Sequence, residues 1–360
     1  MLRHRFWLSC AALGVWGCAG SANAQSSITL YGVVDVDVDI SNQGHGTLVA
    51  MQGGGLNSSE FGFKGVEDLG AGMKAVFDVE NGFSATTGAA LQNGLLFGRQ
   101  AWVGLSTEWG TLTFGRQYSP EYLANTANDA FVHGLAGGLS NIGNTVNGKT
   151  AGLLTVYSAT GRTDNSINYV SPTIQGVTLR AMYGVGGVAG SISSASTVGI
   201  GGSANWGPVG LSAGYTRNRP VGTMGVLQAY SAGGSVKFGQ ARIIAAITKD
   251  INSATPGKTT RFALENLGLQ YQFTVTDRLL AQGIRLVDTS DGLPTSRVGY
   301  IAAIGLVHSL SKTTSIYCDY AQVWNRKGSA YSLGGAIYTG APAVPNATAR
   351  SLQVGVQTLF

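Results

Sequence analysis

Apolar and polar residues alternate with period two along most of the chain. In residues 30–40, Leu30, Gly32, Val34, Val36, Val38 and Ile40 share one face, and Tyr31, Val33, Asp35, Asp37 and Asp39 share the other. Residues 73–80 repeat this, with Met73, Ala75, Phe77 and Val79 against Lys74, Val76, Asp78 and Glu80. In 177–183, Val177, Leu179, Ala181 and Tyr183 oppose Thr178, Arg180 and Met182. Near the C-terminus, Leu352, Val354, Val356 and Phe360 oppose Gln353, Gly355 and Gln357, with Thr358 a lapse on the apolar side. Such alternation predicts β-strands with two unlike faces. Past the N-terminus the longest apolar runs, such as Ile301 to Val307, fall far short of the ~20 residues of a spanning helix.

The connections alternate in length. Short turns are predicted at Glu67–Gly70, Thr107–Gly110, Ser171–Gly176, Asn205–Pro208, Phe238–Gln240, Thr274–Asp277 and Leu310–Lys312. Longer polar, Gly-rich stretches lie near 41–57, 82–94, 119–161, 185–196, 218–225, 250–260, 288–296 and 325–348. Fifteen connections join sixteen strands. A seventeenth candidate, Leu153–Ser158, is assigned to the longest loop, because both ends must lie on one side. Short turns on one side and long loops on the other describe an all-β, 16-stranded antiparallel transmembrane β-barrel. A soluble sandwich would have to bury this much apolar face in one core, beyond the usual limit of a domain. A closed barrel also satisfies every edge N–H and C=O, which lipid cannot do. Trp109, Trp206, Phe238 and Phe273 sit at turn edges and are candidates for an aromatic girdle.

Composition agrees and removes the N-terminus from the fold. Gly is 54 of 360 residues, roughly double the usual ~7%. Charged residues are 11%, too few for a disordered chain. Arg3, His4 and Arg5 precede an apolar stretch from Phe6 to Gly20, and Ala22-Asn23-Ala24 is an A-x-A cleavage site. Residues 1–24 therefore read as a cleaved signal peptide and 25–360 as one barrel domain. A rival reading acylates Cys18, with Trp16 a poor residue before it. Cys10 and Cys18 leave with the signal, so Cys318 alone remains and no intrachain disulfide or Cys metal site is expected. Of 23 Lys and Arg, Arg3 and Arg5 also leave, so 21 face 18 acidic residues. No basic run suggests nucleic acid.

Four stretches then carry a resemblance. They are Ile28-Thr29-Leu30-Tyr31-Gly32-Val33-Val34-Asp35, Phe61-Gly62-Phe63-Lys64-Gly65-Val66-Glu67-Asp68-Leu69-Gly70, Phe97-Gly98-Arg99-Gln100-Ala101-Trp102-Val103-Gly104-Leu105 and Phe114-Gly115-Arg116-Gln117. Asn165 to Pro172 and the terminal Phe360 add to it. In order and spacing the chain resembles the general porins of the Gram-negative outer membrane. The resemblance implies a homotrimer for passive diffusion of ions and small hydrophilic solutes, set in outer-membrane lipid and lipopolysaccharide, with no cofactor. It implies that the third extracellular loop, 119–161, folds inward and narrows the pore. It also implies that Phe360 is a signal read by the barrel assembly machinery.

Charge placement suggests a mechanism. Parity puts Glu60, Lys64, Lys74, Arg99, Arg162 and Arg180 on lumen faces. The resemblance places Arg99 and Arg162 in a basic cluster on the pore wall, with Glu121 and Asp129 of the third loop as the facing acids. Opposed fixed charges across a gap orient dipolar solutes and favour one ion sign. Glu60 and Asn168 stand where the family commonly has basic residues, so weak ion selectivity is expected. Leu112, Phe114 and Arg116 share a parity, which turns Arg116 outward. Gln100 and Trp102 are also expected to point outward, and the resemblance makes these three a trimer contact, with loop 82–94 latching onto the neighbour. The alternative for Arg116 is a snorkelling position at the membrane edge.

Other signals are weak. Asp35, Asp37 and Asp39 are spaced about 6.6 Å apart along a strand, too far for adjacent metal ligation. Gly184 to Ala189 matches a dinucleotide fingerprint by accident, with no helix following. His45 and His133 fall in loops without a recognisable Ser or Asp partner. Cys318 is expected to face outward and be inert. The competing functions are a substrate-selective channel, a barrel hydrolase and a plugged structural barrel.

Overall fold

The computed structural model describes residues 26–360 except 153–160, 223–224, 337 and 339. The signal segment and the Leu153–Ser158 candidate lie outside the described residues. In chain order the strands are β1 (Ser27–Asn42), β2 (Thr47–Gly53), β3 (Glu60–Gly70), β4 (Met73–Gly82), β5 (Gln100–Thr107), β6 (Gly110–Tyr118), β7 (Ile142–Val146), β8 (Lys149–Gly152), β9 (Arg162–Val170) and β10 (Val177–Gly184). They continue as β11 (Thr197–Trp206), β12 (Val209–Asn218), β13 (Leu227–Phe238), β14 (Ala241–Thr255), β15 (Lys258–Gln272), β16 (Asp277–Asp288), β17 (Arg297–Ser309), β18 (Thr314–Arg326), β19 (Tyr331–Leu333) and β20 (Thr348–Leu359). One helix, α1 (Pro120–Ala127), opens the third loop.

Seventeen of these strands make the sixteen staves of one closed antiparallel barrel. Each pairs with its neighbour, and β1 closes on β20 through Val33↔Leu359 to Asn42↔Arg350. The stave next to β1 is built from two pieces. Ser27–Val33 pairs with β3, and Val36–Asn42 pairs with β2. The intervening segment 54–59 turns into the lumen, where Gly55 accepts a 2.5 Å hydrogen bond from Leu135 N through its carbonyl. β7, β8 and β19 form a separate small sheet.

The turns follow the sequence pattern on most of the barrel wall, but residues 41–57, read as a loop, contain β2 paired with β1. Residues 250–260 read as a long polar loop, yet β14 and β15 run on to a tight turn at Pro256-Gly257, with Gly257 at φ 69°. Polar residues there continue the alternation beyond the apolar band, and paired backbone holds them regardless of side-chain polarity.

The outer face is apolar: Val103, Leu179, Ile200, Ile247, Leu267, Ile304 and Val354 are all exposed. So continuous an apolar surface would be a severe liability in water. Trp206 and Phe238 mark its periplasmic edge, and Tyr215 and Tyr230 its extracellular side. The inner face is not uniformly polar. On β14–β18, Ile244, Leu264, Leu280, Ile284, Leu286 and Ile301 turn inward and are buried. They pack against Leu56, Phe131, Leu135, Leu139, Tyr331 and Leu333 from the infolded loops. Full burial of each large apolar side chain contributes about 1.5–3 kcal/mol, so the loops are held to this wall as to a core.

Candidate functional site

The third loop crosses the lumen because its sequence starts a helix and the wall makes room for it. Ser119 accepts a hydrogen bond from Tyr122 N at 3.1 Å, and Pro120 occupies the first turn, where its missing N–H costs nothing. The helix then lies on glycines. A Cβ on Gly201 would sit 2.9 Å from Pro120 Cβ, and one on Gly214 2.5 Å from Pro120 O. Further along, the same construction at Gly233 and Gly268 would meet Asn128 at 2.8 Å and Ala130 at 2.5 Å. Much of the glycine excess on these strands is therefore a track for the loop.

Side chains fix the loop at each step. Asn125 Nδ2 donates to Thr248 Oγ1 at 2.8 Å, Asn266 Nδ2 to Asn128 O at 2.9 Å and Gln270 Nε2 to Ala130 O at 2.7 Å. Asp129 is fully buried. Its carboxylate accepts from the backbone N–H groups of Phe131, His133 and Leu139 at 3.0, 3.0 and 2.8 Å, and from Gln282 Nε2 at 3.1 Å. Those bonds hold a turn in which Val132, His133 and Leu135 all have positive φ. Burial raises the Asp129 pKa, and the four hydrogen bonds oppose that rise.

Glu121 is also fully buried, turned towards the barrel wall beside Gly214 and Asp250. Burial and the Asp250 charge both hold its pKa well above the usual carboxylate range. The two loop acids expected to face the basic wall thus lie under the loop, because helix α1 packs its Glu121 and Asn125 face on the strands. His133, likewise buried, contacts Asn125 Oδ1 through Nε2 at 2.8 Å and Thr126 Oγ1 through Nδ1 at 3.1 Å, and burial lowers its pKa to about 3.

The structure gathers the wall residues into two linked groups. Arg99 bridges two acids, Glu60 at 2.5 Å and Glu80 at 2.7 Å. Tyr31 donates to Asp78 at 2.8 Å and Glu80 at 2.9 Å, and Lys64 Nζ lies 5.0 Å from the Tyr31 ring centroid. The second group centres on Arg162, which donates to Tyr118 Oη at 3.0 Å and lies 4.7 Å over that ring. Tyr118 stacks on Tyr122 of the loop, centroids 4.4 Å apart. Arg162 is therefore the point where wall and loop meet. Glu80, Tyr118 and Tyr122 were not singled out from sequence. Glu80 could have been, since it shares the polar face of β4 with Lys74 and Asp78.

Gln100 and Trp102 face the lumen, opposite to expectation. Gln100 pairs with Glu80 and Trp102 with Asp78 across β4 and β5, and Trp102 Nε1 donates to Gln100 Oε1 at 3.1 Å. They line a cavity of about 270 Å³ with Thr113, Gln117, Tyr118 and Arg180. The alternation misleads because Arg99 precedes the strand, so its direction does not set the parity of β5. Arg116 points outward, as its parity implies. It pairs with Asp164 at 2.5 Å and donates from Nε to Gly98 O at 2.8 Å. At the seam, Phe360 and Gly32 exchange backbone hydrogen bonds at 2.9 and 3.1 Å, and the Phe360 ring covers Gly32.

A family model described as Gram-negative porin matches residues 9–328. An outer membrane porin protein of Bordetella pertussis is 36% identical over 192 residues, 49% of this chain and 46% of that protein. The outer membrane porin protein 32 of Delftia acidovorans is 27% identical over 98% of this chain and 99% of its own. The chain thus spans about half the length of the first relative and nearly all of the second. Among solved structures, the anion-selective porin from Comamonas acidovorans superposes with a TM-score of 0.77 at 24% identity, covering 93% of this chain and 100% of that one.

Proposed function

The chain belongs to the Gram-negative porin family, and on that premise we propose that it is a water-filled outer-membrane channel for passive diffusion of ions and small hydrophilic solutes. The observation that carries this reading is the loop docked across the lumen against Arg162, leaving charged and polar side chains to line what remains. Arg99, Arg162, Glu60 and Lys64 act on the permeating solute. Glu121 and Asp129 act indirectly, by setting where the loop lies. Selectivity is weak. Opposed charges that balance present little net field, and on this wall Arg99, Lys64 and Arg162 stand against Glu60, Asp78 and Glu80. The Comamonas relative is described as anion-selective; Glu60 and Asn168 make this chain less so.

The working unit is a homotrimer. Arg116, which pairs on the outer surface with Asp164, belongs to the subunit contact in this reading. Gln100 and Trp102 are not part of it, since they line the lumen. Residues 1–24 direct export and are cleaved, Phe360 is read by the barrel assembly machinery, and lipid and lipopolysaccharide surround the barrel. The chain carries out no catalysis in this reading.

The test is single-channel conductance in a planar bilayer, with reversal potential under a KCl gradient. Steps in threes with a small reversal potential are expected. A large reversal potential would overturn weak selectivity. No conductance would overturn the channel itself.

A further inference from the structure

The lipid-facing surface of β10–β14 is not smooth. Adjacent strands place Leu179, Gly202, Ala213, Ala232 and Ile247 in one cross-strand row. Its three central residues are small and form the floor of an outward trough of about 1270 Å³. The next row towards the extracellular side is Ala181, Ile200, Tyr215, Tyr230 and Lys249. Tyr215 and Tyr230 pack with centroids 4.7 Å apart and wall the trough on that side. Leu211 walls the other, lying over Gly234.

Two cations flank the tyrosines. Lys249 ends their row and is exposed on the membrane face. Arg217 lies two residues beyond Tyr215 on the same face of β12. Among the described residues neither has a salt-bridge partner. The nearest outward acid in register, Glu265 opposite Ile247, is held by Arg285 through two 3.0 Å hydrogen bonds. An unpaired cation facing lipid is costly at mid-membrane and inexpensive at the headgroup level. The tyrosines mark that level, because such rings settle at membrane interfaces. The strands run from short turns at Phe238 up to the long-loop side, so this interface is the extracellular one.

We propose that this trough binds one phosphorylated, acylated lipid of the outer leaflet, with an acyl chain over Gly202, Ala213 and Ala232 and phosphate on Lys249 and Arg217. This rests on the reading of the barrel as an outer-membrane protein. Apolar shape and charge are complementary at one place: a groove too apolar for a sugar or peptide, opening beside two cations without anions. Lipid packed there is a fixed part of the outer surface, distinct from the pore and a quarter turn from Arg116.

Native mass spectrometry of the trimer in maltoside, with added bis-phosphorylated lipid A, tests the site. Dephosphorylated lipid A and phosphatidylglycerol are the comparison probes. Wild-type protein is expected to retain phosphorylated lipid A in preference to both. Lys249→Gln with Arg217→Gln is expected to weaken retention about 30-fold, at roughly fivefold for each interfacial cation. Ala213→Leu, which fills the floor and leaves both cations, is expected to weaken it as well. Each variant should keep wild-type conductance, which shows that it folds and keeps the channel question separate. Equal retention by wild type and both variants overturns the proposal. So does equal binding of phosphatidylglycerol, or a trimer that binds no lipid because a neighbouring subunit covers the trough.

Discussion

The Glu60 carboxylate lies 2.5 Å from the Arg99 guanidinium on the lumen wall, and Glu80 lies 2.7 Å from the same group. One cation thus answers two anions at the site where the pore would read ionic charge.

Glu60→Gln removes one of those anions and leaves the Arg99–Glu80 pair. A unit charge about 7 Å from an ion in water is worth about 0.6 kcal/mol. Anion permeability is therefore expected to rise, and cation permeability to fall, each about threefold. Reversal potentials under a KCl gradient measure this; an unchanged potential would mean that Glu60 is remote from the ion path.

Asp129→Ala removes the acceptor of four hydrogen bonds that fold residues 129–139. Loss of the charged partner of buried donors costs about 3 kcal/mol or more. The barrel should still assemble, since its ladders are untouched. The loop should become accessible to protease in folded trimers, and conductance should grow noisy.

The docking of the loop should also depend on pH, through groups of opposite sign. The buried His133 has its pKa lowered to about 3 from 6.5. A base with a lowered value favours the docked loop fully above 6.5, and that contribution falls away as pH drops towards 3. Glu121 has the opposite sign. Its raised value favours the docked, protonated form at low pH, and the benefit declines as pH rises above 4.5. The two groups oppose one another between pH 6.5 and pH 4.5, so acidification across that window should raise single-channel noise more in Glu121→Gln than in His133→Gln. Glu121→Gln should quieten the channel at pH 7. The same pH dependence of noise in both variants would sink this account.

Trp102 offers a direct test of strand parity. In a Cys318→Ser background, Trp102→Cys should react with a membrane-impermeant thiol reagent and its conductance should drop. Reaction only with a lipid-soluble reagent would put residue 102 outside.

Arg116→Ala should lower the temperature at which trimers dissociate in detergent. Asp164→Asn should change monomer stability by less than about 1 kcal/mol, because exposed pairs contribute little and Asp164 is largely exposed. Trimers that melt unchanged in Arg116→Ala would remove Arg116 from the contact.

The barrel could be read from sequence because its two faces meet different solvents, so the alternation at Leu30–Ile40 or Met73–Glu80 reports orientation directly. The outward direction of Arg116 was legible for the same reason. Reading failed where that relation lapses. Gln100 and Trp102 follow a bend whose direction alternation does not encode. Asp129 and Glu121 were expected as pore acids from the resemblance, which carries no record of local burial, whereas here backbone donors and a helix face bury them. The glycines under α1 registered only as composition, since a docking track is a relation between strands and a loop far away in sequence. Ile244 and Leu264 point into a lumen expected to be polar; the infolded loops supply the apolar partners.

The seam between β1 and β20 carries a consequence for assembly. Its partners are among the most distant residues in the chain: Gly32 answers Phe360, and Val33 answers Leu359. Contacts of such separation form late. Until they form, the nascent barrel is a curved ribbon with two unpaired edges, each able to template another chain. Escape from aggregation therefore hinges on how quickly the two ends of the ribbon are brought together. A lesion at the seam would cost far more in yield than in the stability of molecules that do close.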